Sequence, residues 1–170
     1  GDHLGLHGRL SLGAIIPLPY DERNPTSRVP VTYRFYAGGP NSNRGYAYRG
    51  LGPRQCIRES AVGQNLCQTF APTGGLALWE ASLELHVRLP FDLGAVLFVD
   101  LGDVSERWQW PTWPRTHLTG GFGLRYDTLL GPLRLDIGVR AIGDPREPTK
   151  AVTFLGELPL MLSLMIGEAF

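Results

Sequence analysis

The sequence has no long hydrophobic run. Its longest apolar stretch, near Leu158 to Ile166, is broken by Ser163, and it is about half of the ~18–20 residues that a membrane helix needs. A helical span is thereby excluded. A membrane-crossing β-strand is not, because it needs only ~9–11 residues, of which every second one is apolar. An excess of one charge is also missing. The chain carries 16 Lys+Arg and 16 Asp+Glu, which removes the basic field expected of a nucleic-acid partner. Charged residues make up 19% of the chain, somewhat below the usual quarter. Cysteine is scarce. Cys56 and Cys67 lie in one segment, and their spacing and flanks do not resemble a zinc or redox motif. They form a short-range disulfide if that segment is extracellular, or stay as two free thiols. The first residues, Gly1-Asp2-His3-Leu4, lack the basic and apolar regions and the cleavage site of a signal peptide. The sequence therefore reads as the inside of a longer or processed chain. Catalytic patterns are missing too: there is no G-x-S-x-G, no H-E-x-x-H and no phosphate loop. His3, His7, His86 and His117 are scattered. No enzyme activity, cofactor or metal is expected.

What is present is alternation with period two. Between Leu76 and Leu89, residues Ala77, Trp79, Ala81, Leu83, Leu85, Val87 and Leu89 share one face, and Glu80, Ser82, Glu84, His86 and Arg88 share the other. The run is about twice the usual strand length of ~5–6 residues. Between Leu118 and Thr128, Phe122, Leu124 and Tyr126 oppose Gly121, Gly123, Arg125 and Asp127. Between Leu133 and Ala141, Leu135, Ile137 and Val139 oppose Arg134, Asp136, Gly138 and Arg140. Near the start, Leu4, Leu6, Leu10, Leu12, Ala14 and Ile16 oppose Gly5, His7, Arg9, Ser11 and Gly13. At the end, Leu160, Leu162, Leu164, Ile166 and Phe170 oppose Met161, Ser163, Met165, Gly167 and Ala169. Ala95 to Asp103 is a further strand, apolar on both faces until Asp100. His7 and His86 fall on polar faces, and Glu80 and Glu84 share one. We read them as polar lining, not as a metal site or a glycosidase pair.

These six strands are joined by connections of alternating length. Short turns fall at Pro90-Phe91-Asp92 and Leu130-Gly131-Pro132. Long loops cover about Pro17 to Gly75, Val104 to His117 and Ile142 to Glu157. Short turns on one side and long loops on the other mark an outer-membrane barrel. Six strands cannot close one, since an open edge in lipid leaves backbone groups unsatisfied. Upstream strands or a second chain must supply the partners.

The stretch Arg34-Phe35-Tyr36-Ala37-Gly38-Gly39-Pro40-Asn41-Ser42-Asn43-Arg44-Gly45-Tyr46 resembles the long-loop motif of the BamA/TamA superfamily, in which an F-Y-A-G-G run leads to an R-G-F or R-G-Y tip. Ala47-Tyr48-Arg49-Gly50-Leu51-Gly52-Pro53 continues the likeness and leans towards TamA-like members. Asn43 departs from the Val or Ile usual before the Arg. The strand motifs follow in the family's order: Ala81-Ser82-Leu83-Glu84-Leu85, Phe98-Val99-Asp100-Leu101-Gly102, Gly123-Leu124-Arg125-Tyr126, Gly131-Pro132-Leu133-Arg134-Leu135-Asp136 and Ile166-Gly167-Glu168-Ala169-Phe170. The resemblance covers essentially the whole chain. It implies an all-β transmembrane antiparallel barrel in the bacterial outer membrane, of which residues 1–170 are the last six of sixteen strands, with residues 18–75 as a long loop folded into the lumen. It also implies a non-enzymatic function, the insertion of outer-membrane proteins or the passage of polypeptides. The partners would be outer-membrane lipid, unfolded outer-membrane or exported polypeptides, and periplasmic accessory proteins.

The resemblance also implies roles for residues. Arg44, Gly45 and Tyr46 would form the loop tip, with Arg44 against the inner wall; Phe35, Tyr36, Gly38 and Gly39 would form its base. Alternation places Glu84 on the polar face, and Asp100 is the one acid in an apolar run. We expect Arg44 to pair with Glu84 and Asp100, since a guanidinium fork suits two carboxylates; a solvated loop charge is the alternative. Gly38, Gly39 and Gly45 would allow positive φ or close approach to the wall, or serve as ordinary turn glycines. Ile166, Gly167 and Phe170 would form the terminal-strand assembly signal and one side of a lateral seam. Pro159 and Gly167 would weaken that edge, and an incoming strand could add there. Phe170 also suits an interfacial aromatic girdle. Trp108, Trp110 and Trp113 would anchor at the outer headgroups or cap the barrel, in preference to forming a cofactor box. Rival readings are a two-partner secretion transporter, the barrel of a patatin-like lipase fusion and a soluble β-sandwich binding module.

Overall fold

The computed structural model describes residues 4–59, 67–108, 116–128, 131–142 and 160–166. Within them lie eight strands: β1 Leu4–Ala14, β2 Arg54–Glu59, β3 Cys67–Pro72, β4 Ala77–Arg88, β5 Leu93–Ser105, β6 His117–Thr128, β7 Gly131–Ile142 and β8 Leu160–Ile166. A 3-10 turn at Val31–Tyr33 is the one helical element among the described residues. Six strands form one antiparallel sheet in the order β1-β4-β5-β6-β7-β8, and β2 pairs with β3 in a separate hairpin. The six strands expected from periodicity are thus the six of the large sheet. β1 and β4 to β7 are 11 to 13 residues long. The short turn between β4 and β5 bends through Phe91 and Asp92, both at positive φ.

The register keeps each chemistry on one face across the whole sheet. One outward row runs Leu6, Leu85, Leu97, Phe122, Ile137, Leu162 through all six strands. The neighbouring row runs Leu4, Val87, Ala95, Leu124, Leu135, Leu164. The large side chains of this face are left exposed: Leu6 at 69%, Leu97 at 56% and Leu164 at 66%. The inner rows alternate with them, as in His7, Glu84, Phe98, Gly121, Gly138, Met161. Slipping one strand by one residue would exchange the two faces, so the pattern fixes the register. Monomeric soluble proteins rarely expose an apolar patch of this continuity.

Polarity is inverted relative to a soluble domain. Among the described residues, Glu84, Asp100, Asp103, Thr119, Arg125, Arg134 and Asp136 are buried along with Asn43 and Arg44. A small apolar core of Ala37, Tyr46, Leu51 and Val104, flanked by Leu78, sits between the long loop and the inner face. That loop enters beside Ala14 and leaves into Ala77. It carries the β2–β3 hairpin, which is additional to the six strands expected from periodicity. The hairpin's period is broken by register shifts between Cys56 and Arg58 and between Arg58 and Glu59, so no alternation marks it. Residues 42–46 of the loop pack on the inner face, against β4, β5, β6 and β7.

Candidate functional site

The base of the loop is closed on itself through the backbone. Phe35 and Gly75 exchange two hydrogen bonds of 2.9 Å, and Leu51 N–H donates to the Ala37 carbonyl at 3.0 Å. Arg34 fastens the base from the side, donating to the carbonyls of Val29 at 2.8 Å, Thr73 at 3.0 Å and Thr26 at 2.8 Å. Gly38 and Gly39 have φ of +96° and +113°, a region that suits residues without a Cβ. Tyr36 donates to the Val31 carbonyl at 2.8 Å, and the Phe35 ring fills the space over Gly13 of β1.

At the tip, the Arg44 side chain is 2% exposed and every arm is occupied. Its Nε and Nη2 donate to the two oxygens of Asp100 at 2.8 and 2.7 Å. Nη1 donates to Glu84, and Nη2 also reaches Ser82 Oγ at 3.2 Å. The Arg44 backbone N–H donates to Asp100 Oδ2 at 3.1 Å. Ser82 donates to Asp100 Oδ1 at 2.6 Å. The guanidinium carbon lies 3.5 Å from the centroid of the Phe98 ring, a cation–π stack in a desolvated setting. Burial acts to lower the Arg44 pKa, but Asp100 and Glu84 outweigh it and raise it above its usual value. The strand register explains the convergence. Ser82 stands opposite Asp100, and Glu84 stands opposite Phe98.

The neighbours of Arg44 dock on either side. Asn43 Oδ1 accepts from Thr119 Oγ1 at 2.5 Å, and Ser42 donates to Glu80. Gly45 rests against Thr119 and Arg140, where a Cβ would lie 2.8 and 2.9 Å from their carbons. Gly138 of β7 lies under the Arg44 carbonyl, which a Cβ there would approach to 2.7 Å. Tyr46 is buried, its ring edge-on to His117 at 5.3 Å and covered by Arg140 at 4.6 Å. Arg44, Gly45, Tyr46, Glu84 and Asp100 are therefore brought to one place, on the polar inner face.

Sequence reasoning missed several contributors. Phe98 looked like part of an unoriented apolar run. Ser82 and Thr119 gave no signal beyond their place on a polar face, and Asn43 stood out only as a departure from the loop motif. Asp103 of β5 is buried with His117 3.9 Å away. Arg125, Arg134 and Asp136 form a second buried charge cluster. His7 and His86 face one another with ring centroids 4.5 Å apart, and His86 Nε2 lies 2.6 Å from Glu84 Oε2. No group of three or more His, Cys, Asp or Glu is placed to hold a metal among the described residues. Cys56 is disulfide-bonded, and the only other cysteine of the chain is Cys67. Ile166 ends β8 on the outward face. Gly167, Phe170, Pro159, Trp110 and Trp113 lie outside the described residues, whereas Trp108 meets Tyr20 edge-on at 6.2 Å.

The Omp85 superfamily domain matches residues 3–154 of the chain. Among solved structures, the fold is similar to the crystal structure of BamA from Haemophilus ducreyi lacking POTRA domains 1-3, with a TM-score of 0.64 and 20% identity. That match covers 95% of this chain and 30% of the BamA chain, so the sequence spans under a third of that protein. Identity at this level speaks for the fold alone. The domain match extends over most of the chain, and with the all-β inside-out sheet the conclusion is that the chain belongs to the Omp85 superfamily.

Proposed function

We propose that this chain acts as the C-terminal part of an outer-membrane β-barrel that inserts outer-membrane proteins or passes polypeptides across the membrane. The reading is non-enzymatic and needs no cofactor. Residues 18–75 act as a loop held inside the lumen, and upstream strands or a second chain complete the wall. The observation that carries this is the burial of Arg44 between Glu84 and Asp100. Burying three charges is costly unless they are fully paired, and well-packed apolar residues would stabilise the site as well or better. The arrangement therefore serves the position of the loop. The uncovered apolar face supports lipid as the outer partner. β8 is the last strand of the sheet, and in this reading its outer edge is the lateral seam, where a client strand adds by β-augmentation.

The test uses the full-length protein in lipid vesicles. A urea-unfolded outer-membrane barrel polypeptide is added, and its folding is scored by heat-modifiable gel mobility. Arg44→Ala is expected to lose most of the acceleration over empty vesicles while its own barrel keeps native mobility. Undiminished acceleration in that variant rejects the role of the loop.

A further inference from the structure

A second set of contacts holds the loop, on a different strand. Arg134 of β7 is 1% exposed and points at the loop shoulder, just before the tip. Its Nη2 donates to the Pro40 carbonyl at 3.1 Å, and its Nη1 donates to Asn41 Oδ1 at 3.2 Å. The fork is oriented by Asp136, whose Oδ2 accepts from Nη2 at 2.9 Å. Asp136 is in turn held by Arg125 of β6, from Nη1 to Oδ1 at 2.6 Å. Arg125 and Arg134 stand directly opposite one another in the ladder. Like charges in that relation repel, and Asp136 between them removes the conflict. Gly123 stands opposite Asp136. It leaves the gap through which Arg125 reaches it, since a Cβ there would lie 2.6 Å from Arg125 Nη1.

We propose that Arg134 is a positioning residue, a second anchor that couples the loop to the last strands of the sheet. It deepens the reading of the loop as the working part, and rests on that reading. Arg44 ties the tip to β4 and β5. Arg134 ties the shoulder to β7, whose position 134 pairs with Met165 of β8. Met165 lines the same cavity as Pro40, Asn41 and Ser42. A change at the β8 edge thus reaches the loop through one strand, without passing through the Arg44 cluster. The contacts explain a cost that the strands alone do not require. Asp136 could be neutralised by Arg125 alone, and among the described residues the other hydrogen-bond partners of the second buried guanidinium are Pro40 and Asn41 of the loop.

The test reads loop docking directly, apart from client folding. Trypsin cleaves after arginine, and the docked loop buries the Arg44–Gly45 bond. In the full-length protein in its membrane, the rate of cleavage at this bond is followed by mass spectrometry. Arg134→Gln is expected to raise it by about tenfold, the factor for ~1.4 kcal/mol, with barrel mobility on gels unchanged. Asn41→Asp, on the exposed side of the loop, adds a charge to the Arg134 contact and is expected to lower the rate. A purely structural Arg134 predicts no change with Asn41→Asp, and that result overturns the proposal even if Arg134→Gln fails to fold. A protection pattern as expected, in a protein that does not accelerate client folding, leaves the anchor standing and removes the assembly role.

Discussion

Arg44 and Asp100 meet as a fork on a fork, through two parallel hydrogen bonds of 2.8 and 2.7 Å between a loop tip and the middle of a strand. The two residues are 56 positions apart in sequence. Asp100 also accepts from the Arg44 backbone N–H at 3.1 Å, so it fixes the main chain of the tip together with its side chain. That combination gives position and orientation at once, which a point charge does not.

The first prediction follows from the fork. Arg44→Lys keeps the charge and loses the parallel pair, so it should behave nearer to Arg44→Ala than to the parent in client folding. Asp100→Asn leaves the Arg44 charge with Glu84 alone, and breaking one partner of a buried pair costs about 3–5 kcal/mol. In a double-mutant cycle of Arg44→Met and Asp100→Asn, measured by urea unfolding of the full-length protein, a coupling well above the ~0.5 kcal/mol of independent sites is expected. Additive effects would show that the pair is not a unit.

The second prediction concerns the glycine under the tip. Gly138→Ala places a methyl 2.7 Å from the Arg44 carbonyl oxygen, and the neighbour there is backbone, which cannot swing aside. Overpacking of this kind costs about 1–3 kcal/mol and should fall on loop docking, read as faster tryptic cleavage at Arg44. Gly120→Ala is the control. It lies one row away on the outward face, and a Cβ there meets nothing within 4 Å. It should leave cleavage at the parent rate.

Much of this fold was legible because each strand keeps one chemistry per face. Leu83 and Leu85 against Glu84 and His86 announce a strand and its sidedness without help from any neighbour. β5 announces only its existence, since Val96 and Phe98 are as apolar as Leu97 and Val99. Their inward direction becomes clear only from the register, in which Phe98 faces Glu84 across one pair and Gly121 across the other. Arg44, Glu84 and Asp100 could be proposed as partners because a family motif put Arg44 at a loop tip against the wall, alternation put Glu84 on the polar face, and Asp100 is the one acid in an apolar run. No such motif joined Arg134 to Asn41, which are 93 residues apart. On its own strand Arg134 reads as one more polar residue facing the lumen. The β2–β3 hairpin was hidden for another reason: its irregular register erases the alternation that marks the longer strands.

The third prediction separates the hairpin from the Arg44 contacts. β2 and β3 form their own sheet and join the loop through the bond from Thr73 N–H to the Pro53 carbonyl at 3.0 Å. Closing a short loop with a disulfide contributes about 2–3 kcal/mol in the chain-entropy account. Cys56→Ala should therefore loosen the hairpin, read as new proteolysis between Arg54 and Pro72. Cleavage at Arg44 should stay at the parent rate, because the described contacts of the Arg44 side chain are with β4 and β5 and not with the hairpin. A rise in cleavage at Arg44 would mean that the hairpin helps to seat the loop.

The fourth prediction tests the outward face against the inner one. Leu97 lies in a row of six apolar side chains, one from each strand of the large sheet. If that row faces hydrocarbon, Leu97→Arg costs about 2–4 kcal/mol near the middle of the bilayer and much less near its rims. Arginine at Leu4 or Leu164, in a neighbouring row, should show how the cost changes with depth. Ser163 of β8 stands opposite Asp136 on the inner face. Ser163→Arg should be better tolerated there, because the polar face supplies acceptors and the hydrocarbon supplies none. Stability in lipid is measured by urea unfolding of the vesicle-inserted full-length protein. A large penalty at Leu97 with a small one at Ser163 fixes the sidedness of the wall. Equal penalties would mean that the exposed row is covered by protein and not by lipid, and the membrane reading of this face would fail.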